Sequence, residues 1–462
     1  MRHVRSKRPG CWSVGLQDLT PTESYATGLT CIECGAAYPL AYRLECDKCR
    51  GLLELAYDLE ALRRRGREVF QGHGLWRYAP VLPIARPEHR VTLGEGQTPL
   101  LEGPRLAQFL GVKRLLIKFD GTNPTGTVKD RSSTTAVGAA LQFGYRVASV
   151  VSSGNAGSSI AAYSARAGLR SLIFVYERAS APKMLHIGAT ATDLIIYKGV
   201  YDDLIVHWDQ LVDEKAFFDC GASRNAFKQE GKKTLAYEIW EQNSFRAPDV
   251  VVAPVAVGET FIAISRGFRE LTQLGWMDKA PLMVAAQATR ANAISRAFRD
   301  GAPLQPLKIG YTVAEGLAAG NPGKKGEWTL RLLREGGGVA GDAEDEEILE
   351  AQKTLARTEG IWAGPTGVAT LAVLGRLLAK KQVDPAQTIC VIISETGLKT
   401  EAEVPTRQGT AFDYDSLRAL VLARLAQTAP SPYLSPPGER RRGEKHFRGG
   451  RGGTPRRSPP LR

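Results

Sequence analysis

The chain has 462 residues, 43% hydrophobic and 24% charged, with a formal net charge of +13. That is ordinary globular composition, able to bury a core without disulfide staples. No long apolar run reads as a membrane span, and no apolar stretch follows the basic start, residues 1–10, to serve as a signal peptide. Seven cysteines without a signal argue against a secreted disulfide scaffold. A soluble cytoplasmic protein is expected.

The charge is uneven. Residues 431–462 hold eight Arg and one Lys against two Glu, a net +7 that leaves +6 for the much larger remainder. A basic body suits an anionic substrate or cofactor.

In chain order, residues 1–26 carry no periodicity and are expected to be loose. Residues 27–60 hold four paired cysteines among the turn makers Gly35, Pro39 and Gly51. Residues 61–90 read as a connector, entered by a charged helix at 60–67. From 91 to 428 short apolar runs alternate with helical patterns. Strands are expected at 115–119, 147–151, 172–176, 194–197, 250–255, 282–287 and 389–394. Helices are expected at 130–143, 157–167, 203–214, 234–242, 260–274, 291–298, 346–358 and 367–380. Short β-branched runs suit strands buried on both faces, and this alternation predicts an α/β protein with mostly parallel sheets. Residues 429–462 are dominated by Pro, Gly, Arg and Ser, and are expected to be disordered.

Four segments lie where a strand hands over to a helix or loop, the place where open α/β sheets bind ligands. FDGTNPTGTVKDR at 119–131 turns at Asn123-Pro124 and Gly126 and puts Lys129 at a helix start. The positive end of the helix dipole disfavours an ammonium there. The resulting amine is a better nucleophile and base, as Schiff-base chemistry needs. Taken alone, the segment also fits a surface lysine in a first helical turn. VASVVSSGNAG at 147–157 offers free N–H groups that can hold a carboxylate, or an ordinary helix capped by Ser153 or Asn155. VVVAPVAVGETFIAISRG at 250–267 puts Gly258 in a strand–helix loop that can nest a phosphate, or that simply turns. VIISETGLK at 391–399 leaves a strand with Ser394 and Thr396 at its mouth.

Cys31 and Cys34, then eleven residues, then Cys46 and Cys49 form two Cys-x-x-Cys knuckles. Four thiolates in this arrangement suit a structural zinc; four reduced thiols without metal are the alternative. His186 and His207 fall in apparent helices and read as packing or surface residues, and Cys220 and Cys390 as buried thiols.

In order, these segments resemble the fold-type II pyridoxal-phosphate (PLP) enzymes, tryptophan synthase β-like in fold. Among them the chain is most similar to the threonine synthase family, including members with an N-terminal cysteine ribbon. The resemblance rests on GEGQTPL at 94–100, NPTGTVKDR at 123–131, SSGNAGSS at 152–159, EGKKTLAYEI at 230–239, TVAEGLAAGNP at 312–322 and TGLK at 396–399. It implies two parallel-sheet α/β domains plus a small four-cysteine ribbon. It implies that Lys129 carries PLP and acts as the catalytic base. Asn155 meets the cofactor's phenolic oxygen, Ala256, Val257, Gly258, Glu259 and Thr260 cradle its phosphate, and Ser394 or Thr396 faces its ring nitrogen. Ser153, Gly154 and Ala156 lie around the substrate carboxylate, and Lys228 takes the place of a phosphate-binding arginine. The implied reaction turns O-phosphohomoserine and water into threonine and phosphate, in a homodimer. β-Replacement on a phosphoserine-like amino acid, as in cysteate synthase, is the alternative.

Three departures stand out. Ala256 and Val257 replace a glycine and an asparagine, Glu259 puts a carboxylate beside the expected phosphate, and Val128 replaces an aromatic. From another class, the ribbon and the Arg-Gly-Gly steps at 448–453 also occur in nucleic-acid-binding proteins. Against that partner, the tail interleaves only Tyr433 and Phe447 with its basic residues.

Overall fold

The computed structural model describes residues 24–176, 181–198, 201–214, 217–399 and 414–426. The expected disorder of 429–462 and nearly all of the loose start lie outside the described residues. Three short strands, β1 (Ala26–Cys31), β2 (Ala37–Pro39) and β3 (Leu53–Tyr57), pair antiparallel in the order β2-β1-β3. They make the ribbon that carries the four paired cysteines.

The rest is built on two sheets. The chain enters the larger one through β4 (Leu100–Glu102) and β5 (Arg114–Phe119). It leaves to make the smaller one, with β6 (Val147–Val151), β7 (Arg170–Tyr176), β8 (Asp193–Tyr197) and β9 (Phe218–Asp219). It returns to the first through β10 (Val250–Pro254), β11 (Leu282–Ala288), β12 (Val339–Ala343) and β13 (Thr388–Ile393). The larger sheet runs β12-β11-β10-β13-β5-β4 and the smaller β8-β7-β6-β9. All pairs in both are parallel except β4 with β5. The expected parallel sheets are therefore present, with one antiparallel edge strand, a common addition to such sheets.

Helices cover both faces of the larger sheet. Pro365–Ala379 and Asp345–Glu359 pack with Val252, Val284 and Val391 on one side. Ala226–Gln242 and Glu259–Gln273 pack with Val251, Ala285 and Ile392 on the other. Ala226–Gln242 begins about two turns before the expected 234. Every residue from Ala226 to Trp240 is buried, so the helix has no polar stripe and gives no 3.6-residue signal. A Cβ at Gly231 would overlap the Arg131 carbonyl, so the glycine lets this helix press against Lys129–Gln142.

A buried charge network ties the Lys129 helix to the larger sheet. Arg131 pairs with Asp120 at 2.7 Å and with Glu238 at 2.6 Å, and Lys118 of β5 pairs with Glu238 at 2.7 Å. Lys118 uses its other two donors on the Thr98 carbonyl and Gln242. Thr98 and Thr234 complete the set around Arg131 and Asp120. Burial lowers the Lys118 ammonium, while Arg131 and Lys118 outweigh burial at Glu238 and hold its carboxyl down at about 2.

Candidate active site

The ends of β5, β6, β10 and β13 each lead into one of the four segments singled out above, and the loops bring these segments together. After β5, Asp130 fastens the turn. Its carboxylate accepts from the Thr125 N–H at 2.6 Å, the Thr125 hydroxyl at 2.5 Å and the Ser159 hydroxyl at 2.6 Å. Val128 N–H donates to the Ser394 carbonyl at 2.8 Å, and Thr396 N–H to the Gly126 carbonyl at 2.9 Å. Lys129, the first residue of its helix, is thereby held beside the mouth of β13. Its ammonium is pushed below the ordinary lysine value, by burial above all and further by Lys228, while Glu259 and Glu395 pull it back. Burial thus carries the depression that the sequence pattern ascribes to the helix start.

After β6 the helix begins at Asn155, with Gly154 as its cap and no side-chain capping bond. This corrects the expectation that Ser153 or Asn155 caps a helix starting near 157. The Asn155 amide is turned to Glu395 instead, and its Nδ2 donates to that carboxylate. Its Oδ1 is buried and has no partner. Ser153, Gly154 and Ala156 flank this helix start and are partly open. Lys228 is buried in the first turn of its own helix, where its N–H is capped by Asn225 at 3.1 Å.

After β10, Gly258 caps the next helix with φ 108°, a left-handed conformation that favours glycine. A Cβ there would overlap the Thr329 hydroxyl. The N–H groups from Ala256 to Thr260 make no hydrogen bond among the described residues. Unused donors at a helix start form an anion cradle. Glu259 does not point away. Its carboxylate is buried, pairs with Lys232 and leaves Oε1 without a partner. Burial would raise its pKa, but Lys228, Lys232, Lys325 and Lys129 hold it well below the carboxylate range. Lys325 is buried with its Nζ unpartnered, and burial brings it down to about 8.

After β13, Ser394 is buried beside the Lys129 loop, and its hydroxyl makes no hydrogen bond among the described residues. Thr396 is half-buried, and its hydroxyl accepts from the Leu398 N–H at 3.3 Å. Glu395, between them, is the residue that sequence reasoning passed over. It accepts from Asn155 and from the Thr366 N–H at 3.2 Å, and its charge reaches Lys129. The available signal was a charged side chain at the end of a strand buried on both faces. Lys232 and Lys325 were also missed as site residues. Of the bland readings, Cys220 and Cys390 are indeed fully buried and His207 is exposed.

The ribbon cysteines form a second cluster, with all four sulfurs within 4.8 Å of one another. Cys31 and Cys49 lie 3.5 Å apart, Cys34 and Cys46 3.6 Å. Tetrahedral zinc with thiolates at about 2.3 Å spaces its sulfurs by roughly 3.8 Å, so the donor set fits that ion. The Tyr38 hydroxyl lies 3.1 Å from Cys46 Sγ, as a donor to a thiolate would.

The cleft meets the requirements of PLP on this chain's own residues. It offers a half-buried lysine of lowered pKa, an unpartnered buried amide oxygen that a ring hydroxyl can satisfy, a hydroxyl at the mouth of β13 and a cationic helix start for a phosphate. Glu259 is the discordant residue.

Comparison with known proteins agrees. The family model described as pyridoxal-phosphate dependent enzyme matches residues 91–395. The threonine synthase of Methanocaldococcus jannaschii is 37% identical, over 72% of this chain and 82% of its own. That of Methanosarcina acetivorans is 35% identical, over 80% of this chain and 92% of its own. Among solved structures, maize serine racemase shares the fold with a TM-score of 0.56 at 18% identity, covering 71% of this chain and 92% of its own. A fungal L-serine ammonia-lyase from Rhizomucor miehei does so at 0.56 and 21%, covering 65% and 93%. This chain belongs to the pyridoxal-phosphate dependent enzymes, within their threonine synthase family.

Proposed function

We propose that the enzyme converts O-phosphohomoserine and water into threonine and phosphate. The observation that carries this reading is the company Lys129 keeps. A lysine of lowered pKa shares its cleft with Lys228, Lys232 and Lys325, a buried cationic wall suited to phosphorylated ligands. The threonine synthase relatives support the same substrate class.

Bound PLP supplies an electron sink for charge that develops next to the substrate's amine-bearing carbon. The chain's residues do the rest. The Ser153–Ala156 turn holds the substrate carboxylate on backbone N–H groups at a helix start. The Lys129 amine, neutral more readily than an exposed lysine, would take the proton from Cα, hand it back to the bound substrate and cofactor, and, neutral again, take one from Cβ. Lys228 meets the leaving phosphate as a point charge, without the bidentate fork of an arginine. Ser394 would hold the ring nitrogen through a neutral hydroxyl rather than a charged side chain. Glu395 positions Asn155 through the amide.

Lys228 at an expected arginine position favours one alternative, β-replacement on a phosphoserine-like amino acid. Phosphate release from O-phosphohomoserine, measured beside release from O-phosphoserine, tests the choice. Release from the first supports the proposal, and release from phosphoserine alone overturns it.

The same proposal takes residues 91–428 as the catalytic body and 27–60 as a ribbon holding one structural zinc on Cys31, Cys34, Cys46 and Cys49. It includes a homodimer and a cytoplasmic setting. The six cysteines among the described residues are free, which suits a reducing compartment. Among those residues no helix is long and apolar enough to cross a membrane.

A further inference from the structure

The Glu259 corner holds an imbalance that the mechanism does not use. Lys228, Lys232 and Lys325 come from two helices, Ala226–Gln242 and Gly323–Glu335, and all three act on Glu259. All are buried, with exposures of 1%, 0% and 4%. One carboxylate faces three buried lysines. It pairs with Lys232, yet one of its own oxygens and the Lys325 Nζ lack any partner. Asp219 is the other acidic group acting on Lys325. Its carboxylate is engaged by the Gly221 N–H at 2.5 Å. Buried charges are normally paired and hydrogen-bonded, and an orphaned buried ammonium marks a place for an anion.

We propose that Lys325 is a phosphate-monoester contact of this enzyme, and that Glu259 is a resident anion competing with that phosphate for the same lysines. The proposal rests on the PLP reading above and adds to it a contact built from lysines that the reading does not assign to the cofactor. The three lysines outnumber the carboxylates beside them, Glu259 and Asp219, and this cationic surplus suits a phosphate. The N–H groups from Ala256 to Thr260 supply the neutral donors. Ala256 and Val257 narrow the backbone cradle, and Lys325 supplies the charge that offsets this loss. A phosphate entering the site stands beside Glu259, and like charges at such range oppose binding strongly where water is excluded. Acid does not relieve this opposition in the working range, because the lysines keep Glu259 ionised.

The test uses the full chain with PLP and with pyridoxal, which has the same ring and aldehyde but no phosphate. Binding is read from the absorbance of the lysine-linked form, and the ratio of the two dissociation constants isolates the phosphate. Lys325→Met should shrink the preference for PLP about 10- to 100-fold, the worth of one charge-assisted hydrogen bond. Glu259→Gln should enlarge it about tenfold. Lys325→Arg keeps the charge and should retain most of the preference, which separates loss of the contact from loss of folding. The preference should also decline as pH rises through about 8 in the wild type, as free Lys325 loses its proton, and should lose that dependence in Lys325→Met. A second arm distinguishes the source of the phosphate. If the variants leave the PLP-to-pyridoxal ratio alone but shift KM for the phosphorylated substrate in the same directions, the substrate's phosphate occupies the site. Variants that move neither quantity, or a Glu259→Gln that weakens both, overturn the proposal while the cofactor reading stands. Failure of the wild type to bind either PLP or pyridoxal overturns the cofactor reading itself.

Discussion

Lys129 and Arg131 stand two residues apart in one helix and enter two very different charge networks. Arg131, Asp120, Glu238 and Lys118 form a closed set: every charged group has a partner and Lys118 uses all three donors. Lys129 faces Glu259 and the lysines around it, a set with an unpartnered carboxylate oxygen and an unpartnered ammonium. Arg131 is buried and so are Glu259, Lys232 and Lys325 beside the half-buried Lys129, so burial alone does not separate scaffold from site. Satisfaction does. A satisfied network fixes a fold, whereas a buried group without a partner costs stability unless a ligand supplies one.

The comparison is broken or sharpened first at Lys129. Lys129→Ala should remove the lysine-linked absorbance band and lower turnover by about a thousandfold or more, with little change in the denaturant midpoint. Retained turnover would move Lys129 out of the site. Next comes stability. Arg131→Met leaves Asp120 and Glu238 buried without their partner and should cost about 3–5 kcal/mol in urea unfolding. Lys325→Met removes a charge that has no partner and should be neutral or stabilising. Equal losses in the two variants would erase the distinction between the networks.

Both groups should make stability rise with pH, but over different spans and for opposite reasons, pairing at Glu238 and unpaired burial at Lys325. Glu238 is held at about 2 against an ordinary 4.5, so its stabilisation is complete above pH about 4.5 and is lost as pH falls toward 2. Lys325 is lowered to about 8 against an ordinary 10.5. Between those values the unfolded chain binds more protons than the folded one, so this group adds stability as pH rises from 8 to 10.5. Urea titrations should therefore show the wild type gaining on Lys325→Met over that alkaline span, and a constant difference between them would contradict the assignment. The smallest effect belongs to a third region. Metal analysis should find about one zinc per chain, and Cys34→Ser should lower that content. Full-strength zinc binding by Cys34→Ser would remove the cysteine from the ligand set.

Local pattern made much of this legible. Buried strands such as Val147–Val151 announced themselves as β-branched runs, and the glycine-bearing handovers to helices marked Lys129, Asn155 and Gly258. Small residues hid β12, whose sequence VAGDA reads as a loop. Gly341 there lets Val373 of the covering helix come close, a tertiary reason with no local trace. Glu395 lay between two hydroxyl residues that fitted the expected role. Lys325 stands nearly two hundred residues beyond Lys129, in GKKGEW, a run that reads as a solvated turn. Its burial comes from packing against the Gly258 loop, which only the fold reveals.

The lysines that Glu259 gathers also provide the sharpest control on the central claim, because Lys228, Lys232 and Lys325 are rival amines within the same cleft. Loading the protein with PLP, reducing with borohydride and mapping the peptides reads out which amine holds the cofactor. A phosphopyridoxyl group on Lys129, within the peptide spanning 123–131, is the predicted result. The same group on Lys325 or Lys228 with Lys129 unmodified would contradict it.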